Sequence, residues 1–145
     1  MDLWVELGLF CLWMFQFMNQ KDKVTIVVPT YRRNEFLSDP EYPTFVLAKE
    51  ENIAKVIYVW HNIGESVPQA VWENIRRHGI GAKISFVYPP ENSLNNRFYP
   101  WPEIGTDCIL SLDDDFYVDP VSMAACHEQW QKNPESIVGF APRFM

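Results

Sequence analysis

Five short, largely apolar runs, at residues 24–28, 56–60, 83–87, 108–112 and 137–140, recur along this chain without the apolar/polar alternation of a sheet that has one wet face. Such runs are expected of parallel strands buried on both sides. The segments between them carry helix signals. Residues 68–78 open with Pro68, place Val71 and Ile75 four apart, gather Arg76, Arg77 and His78 in the last turn and stop at Gly79. The basic last turn is read as compensation of the helix dipole. Residues 120–132 follow a capping Asp119, set Met123, Cys126 and Trp130 on one face and end just before Pro134. Residues 34–52 read as helical but broken at Pro40 and Pro43. Strand–helix alternation of this kind predicts an α/β, Rossmann-like domain with a mostly parallel sheet and flanking helices.

Its 145 residues amount to about one domain, and 48% hydrophobic with 15% aromatic content argues against disorder. A net charge of −7 supplies no basic footprint, so nucleic acid is excluded as a partner. No G-x-G-x-x-G follows the first run and no Walker A loop occurs, which removes dinucleotide and P-loop phosphate binding. Cys11, Cys108 and Cys126 are odd in number and lack C-x-x-C spacing, so neither a zinc site nor a closed disulfide set is indicated. Cys108 and Cys126 read as small core hydrophobes. His61, His78 and His127 have no ligand spacing; His127 reads as a surface or hydrogen-bonded helix residue. No Ser/His/Asp nucleophile arrangement is visible.

Residues 1–20 form a distinct apolar segment ahead of the domain. Its uninterrupted stretch over residues 7–15 falls well short of the roughly 20 residues a membrane-spanning helix needs. Asp2 and Glu6 precede it, whereas Lys21 and Lys23 follow it, which under the positive-inside rule favours the wrong orientation for a lumenal domain. A degraded signal anchor, a secretory signal with a weak leading region, an amphipathic helix with Trp4, Leu7, Cys11, Met14 and Met18 on one stripe, and a mistaken reading-frame start all stay open.

The fourth run ends abruptly in Asp113-Asp114-Asp115. Two like charges about 5 Å apart repel by roughly 3 kcal/mol at an effective dielectric near 20, so a partly buried triplet calls for solvent or a cation. In extended geometry Asp113 and Asp115 share one side and Asp114 faces the other. Carboxylates at the carboxyl end of a parallel strand suit Mg²⁺ or Mn²⁺ with a diphosphate. An acidic turn that merely caps the next helix is the plainer alternative, but Asp119 before Pro120 already supplies a cap. Polar clusters close the other runs: Pro29-Thr30-Tyr31-Arg32-Arg33, then Trp60-His61-Asn62-Ile63-Gly64-Glu65, then Glu91-Asn92-Ser93-Leu94-Asn95-Asn96-Arg97. An arginine there can fork onto phosphate, and Tyr31 can stack on a base.

Taken in order, VPTYRR, VIYVWHNIGES, NSLNNRF, the DDD run and IVGFAPRF resemble the catalytic domain of the exostosin and exostosin-like glycosyltransferases, over residues 24–145. The resemblance implies a GT-A fold and transfer of N-acetylhexosamine from a UDP-sugar to a glycan or glycolipid acceptor, with retention and dependence on Mn²⁺ or Mg²⁺. It implies Asp115, with Asp113, as metal ligands; Asp113 and Asp114 in contact with the nucleotide or sugar; Tyr31 and Arg33 at the uracil; and Asn92 and Arg97 at the nucleotide or donor sugar. His61 stands where relatives often carry asparagine, ahead of Asn62, and both are expected near the base. Residence in the endoplasmic reticulum or Golgi lumen, membrane attachment through residues 1–20 and a partner subunit complete these expectations. The family's domain continues past the matched region into an acceptor-binding half, which makes a catalytically incomplete nucleotide-sugar-binding or interaction module the alternative. A nucleotidyltransferase is disfavoured because no glycine- and lysine-rich phosphate loop follows the first run. Catalytic residues are not assigned.

Overall fold

A computed structural model describes residues 20–139 of the chain. Four strands form one all-parallel sheet: β1 (Val24–Thr30), β2 (Ile53–Trp60), β3 (Ile84–Val87) and β4 (Cys108–Ser111). Their spatial order is β3-β2-β1-β4. The chain therefore builds outward from β1 to β3 and then returns to place β4 on the other side of β1. The crevice between β1 and β4 is the switch point where open α/β sheets bind ligands.

Pro29 marks where that crevice opens. In a parallel strand the N–H and C=O of one residue point to the same neighbour, and Leu112 N–H donates to Val27 O across the β1–β4 seam at 3.1 Å. Pro29, two residues on, faces the same seam and has no N–H to offer. The β1–β4 ladder ends at Val27–Ser111, whereas β1–β2 pairing continues to Thr30–Trp60.

Alternate residues of β1 feed two apolar layers. Val24, Ile26 and Val28 pack with Val56, Tyr58 and Trp60 beneath all four helices: α1 (Asn34–Leu37), α2 (Pro43–Leu47), α3 (Gln69–His78) and α4 (Pro120–Lys132). Phe45 of α2 anchors this layer, meeting the rings of Tyr42, Tyr58 and His78 edge-on at 5.0, 6.0 and 5.7 Å. On the opposite face, Val27, Ile57, Val59 and Val87 are covered by Trp101 and Ile104 of the β3–β4 connection. The sheet is thus covered on both faces, but by helices on one side and an irregular connection on the other.

The helix signals read from the sequence hold closely. Helix α3 ends at Gly79, which adopts φ +69° with open space around it. Asp119 caps α4 through Ser122 N at 2.8 Å, with Pro120 in the first turn. Pro40 and Pro43 divide the 34–52 region into two short helices, with Pro43 opening α2. His127 is buried, its Nε2 2.6 Å from Asp22 O, so it is a satisfied helix residue.

The fifth expected strand does not form within the described residues. Ile137 to Gly139 have no regular structure, and Ile137 is fully exposed. An apolar run becomes a strand only where it pairs with a ladder edge, and among the described residues this one pairs with neither outer edge, β3 or β4. Among the described residues no helix is long and apolar enough to cross a membrane; the expectations for residues 1–19 lie outside them.

Candidate functional site

The acidic triplet lies just past the end of β4, at the switch point. Expected to continue the strand, it instead forms a turn closed by Phe116 N–H donating to Asp113 O at 3.2 Å. The carboxylates still separate in alternation. Asp114 points to the helical side, where Thr30 Oγ1 at the end of β1 donates to its Oδ2 at 2.9 Å. Tyr42, just before α2, donates its hydroxyl to the Asp114 carbonyl at 3.1 Å. Burial raises the Asp114 carboxyl above its ordinary value; the Thr30 bond and Arg33 pull it down, and Asp115 and Asp113 push it up.

Asp113 and Asp115 are more than half and half exposed, and each has an arginine. Arg97 Nη2 donates to Asp113 Oδ1 at 2.7 Å, and Arg33 Nη2 lies 3.7 Å from Asp115 Oδ2. Each pair uses one carboxylate oxygen, leaving the other free. The Arg33–Asp115 pair, long and about half exposed on both sides, contributes only about 0–1 kcal/mol, so Arg33 can be redirected to an incoming anion at little cost, whereas Arg97, three-quarters buried, is held more firmly.

The β1–α1 turn is held by a backbone that departs from the common regions. Arg32 has φ +53°, costly for a residue with a Cβ. Its N–H donates to Asn62 Oδ1 at 2.9 Å. That conformation sends Tyr31 and Arg33, on either side of Arg32, to the mouth. Tyr31 is half-exposed, with the Arg32 guanidinium 5.1 Å from its ring centroid. Asn62 is only 4% exposed, yet its Nδ2 has no partner among the described residues. A buried amide donor without an acceptor is costly, so this atom marks a place where an external acceptor fits.

His61 is also buried, and its N–H donates to Thr30 O. Burial lowers its imidazole below the usual value, a backbone hydrogen bond at Ser93 opposes this, and the Arg97 charge lowers it again. The ring is therefore neutral near pH 7. Its Nε2 lies 3.1 Å from Asn96 Nδ2, which can only donate, so Nε2 is the acceptor. Asn96 Nδ2 also reaches Glu91 O, and Asn96 O accepts from Trp101 Nε1. Through these bonds His61 fastens the 3₁₀ turn Leu94–Phe98 that presents Arg97. Asn92 is exposed at the start of that connection and makes no side-chain hydrogen bond to the acidic turn.

The structure thus gathers Tyr31, Arg33, Asn62, Arg97, Asp113 and Asp115 at the mouth, places Asp114 inward, commits His61 to a neighbouring turn and leaves Asn92 at the rim. Thr30, Tyr42 and Asn96 act in the site without having been singled out. Thr30 and Asn96 lie inside motifs read from the sequence, but nothing local to Asn96 or Tyr42 signals their partners. Among the described residues no three His, Cys, Asp or Glu side chains converge as a ready-made metal cage. The oxygen-only donor set of Asp113 and Asp115 nevertheless fits a hard divalent cation that draws its remaining ligands from a diphosphate and water.

Together with a family match over residues 24–145, a parallel α/β sheet whose switch point carries an acidic turn between two arginines defines a Rossmann-like glycosyltransferase domain. Residues 24–145 match the Glycosyl transferase family 64 domain, and the chain belongs to that family. It is 33% identical to human Exostosin-like 2 over 124 residues, 84% of this chain and 36% of that protein. It is 32% identical to the Exostosin-like-3 homolog of Caenorhabditis elegans, over 86% of this chain and 14% of that protein. With bovine Exostosin-2 the identity is 30% over 128 residues, 86% of this chain and 16% of that protein. The exostosin resemblance is borne out, and the chain spans little more than a third of the shortest of these relatives.

Proposed function

We propose that this chain forms the donor-nucleotide half of a glycosyltransferase that moves an N-acetylhexosamine from a UDP-sugar to a glycan or glycolipid acceptor with retention, dependent on Mn²⁺ or Mg²⁺. The observation that carries the reading is the acidic turn at the β1–β4 switch point with Arg33 and Arg97 on either side. Asp115 and Asp113 would hold the cation through their free oxygens; when bound, it neutralises charge on the departing diphosphate. Arg33 exchanges a weak carboxylate contact for phosphate oxygens, and Arg97 gives up a firmer one. Tyr31 offers a ring for the base to stack on, and the unpartnered Asn62 Nδ2 offers a donor for a uracil carbonyl. None of these residues moves a proton, so donor binding asks no general base of this half.

The reading further places the protein in the lumen of the secretory pathway, the expected compartment of such transferases. It is tested by calorimetric titration of UDP with and without Mn²⁺, using the Asp113→Asn/Asp115→Asn double variant and circular dichroism as controls. Mn²⁺-dependent binding that the double variant loses supports the donor site; a folded chain that binds UDP under neither condition refutes it.

A second reading, an interaction module that assembles with another polypeptide, is favoured by the sheet edge. Among the described residues β4 has no outer partner, and Ile109 on it is half-exposed. Light scattering at low concentration separates the two: a stable monomer that binds UDP speaks against obligate assembly.

A further inference from the structure

We propose that His61 is a positioning residue whose neutral imidazole latches the turn carrying Arg97, and that a proton on this ring frees the turn and weakens the hold on the donor diphosphate. The inference rests on the donor-site reading and deepens it by giving that site an acid sensitivity. His61 directly follows β2 and is only 3% exposed; its N–H donates to Thr30 O, which fixes it against the end of β1. Its Nε2 meets Asn96 Nδ2 at 3.1 Å. The Asn96 amide cannot be reversed without loss, because the same nitrogen donates to Glu91 O at 2.8 Å and an oxygen in its place would face that carbonyl. Asn96 therefore offers His61 a donor, which only an unprotonated Nε2 can accept. Asn96 adjoins Arg97, and its own carbonyl receives Trp101 Nε1 at 2.9 Å and Tyr99 N–H at 3.3 Å. One side chain at the end of β2 thus ties down the 3₁₀ turn Leu94–Phe98 beside the arginine that reaches Asp113.

A proton on Nε2 sets two donors against each other. It also brings a cation toward Arg97, the charged side chain that acts on the ring. From the elements around it, β1 presents the Thr30 carbonyl, the β3–β4 connection presents the Glu91 carbonyl by way of Asn96, and the acidic turn presents Asp113, which stands beyond Arg97 and is paired with it. Burial lowers the imidazole below its usual value, a backbone hydrogen bond at Ser93 raises it, and the Arg97 charge lowers it. A closed latch disfavours the proton, whereas an open one takes it up near the ordinary histidine pKa of about 6.5, so the turn loosens as pH falls below that value.

Two measurements on the full chain test this. His61→Gln keeps a side-chain oxygen for Asn96 but does not titrate; His61→Leu has no acceptor at any pH, and Asn96→Ala opens the latch from the other side. The first measurement is amide hydrogen exchange without ligand, taken as protection relative to the free peptide so that the pH dependence of exchange itself cancels. Between about pH 7.5 and about pH 5.5, wild-type protection at Asn96 and Tyr99, whose N–H groups donate to Ser93 O and Asn96 O, is expected to fall by up to about tenfold, the ratio in which protonation of an ordinary imidazole favours the open turn. Protection stays constant in His61→Gln and is already low at the higher pH in His61→Leu and Asn96→Ala, while Ile57 in the central ladder is unaffected. The second is calorimetric titration of UDP with Mn²⁺ at the same two pH values. Wild type is expected to lose up to about tenfold more affinity on acidification than His61→Gln, since the titration of UDP and of the carboxylates is common to both.

Equal acid losses of protection in wild type and His61→Gln overturn the latch, as does full protection at the higher pH in both His61→Leu and Asn96→Ala. A turn that loosens in acid while wild type and His61→Gln lose UDP affinity equally overturns the assignment of His61 as a positioning residue. If wild-type protein binds no UDP while the exchange effect is present, the latch stands and the donor-site reading falls.

Discussion

Replacing Asn74 by alanine should destabilise the domain by about 2 kcal/mol, because that one amide satisfies two backbone carbonyls of the α1–α2 loop. Asn74 is 1% exposed, and its Nδ2 lies 2.8 Å from Leu37 O and 2.7 Å from Asp39 O. The Leu37 bond is buried, so losing it leaves an unmet carbonyl at about 1–3 kcal/mol; the part-buried Asp39 carbonyl keeps the Tyr42 N–H as a donor, so its loss costs about 0.5–1.5 kcal/mol. Two gains offset this. Asn74 Oδ1 is itself buried without a partner, so deleting it returns about 1 kcal/mol, and alanine is the better helix former by about 0.6 kcal/mol. The void left by the shortened side chain works the other way by a similar amount, about 1 kcal/mol.

Urea unfolding followed by circular dichroism reads the difference directly as a shifted midpoint with unchanged slope, and a thermal melt should fall by about 6–8 °C. Asn74→Leu is the control: it preserves volume but loses both bonds, and should be about as unstable as alanine. A loss below about 0.5 kcal/mol in Asn74→Ala, or full stability in Asn74→Leu, would refute the hydrogen-bond argument.

Gly79→Ala should cost about 1 kcal/mol in the same assay through its left-handed φ alone, since the added Cβ meets open space, and Gly79→Asn should cost less. The Asp119 carboxyl is held below its ordinary value by the Ser122 hydroxyl and N–H. A depressed carboxylate contributes stability above its unfolded pKa and loses it as pH falls through the folded one, so wild type should outlast Asp119→Asn in thermal melts near neutral pH, with the gap closing as pH drops below about 4. Burial pushes the Cys108 thiol up to about 11, so iodoacetamide at pH 8 should label Cys126, the more exposed of the two, well before Cys108 in native protein; peptide mass spectrometry would show the order, and equal labelling would contradict it.

Local chemistry made much of this protein legible. The ends of α3 and α4 are set within a few residues: Gly79 relaxes a left-handed stop, and Asp119 with Pro120 opens α4 whatever lies elsewhere. Four strands appear where apolar runs lie between such signals, because residues buried on both faces must be apolar along the whole strand. The fifth run shows the limit of that reasoning, since apolar residues at 137–139 make a strand only if a neighbouring edge pairs with them.

The site divides in the same way. The acidic triplet and the arginines flanking it are visible as residue types, and family membership follows from the order of their motifs. What each carboxylate faces was not visible. Asp114 turns inward because β4 returns beside β1, bringing Thr30 and Tyr42 to it across 84 and 72 residues. His61 fastens Asn96, and Asn62 keeps a buried donor free, for the same reason. Caps, turns and strand-forming runs act through neighbours along the chain, so the sequence alone determines them. The orientation of a carboxylate depends on which groups surround it, and here those groups are brought together only by the strand order β3-β2-β1-β4.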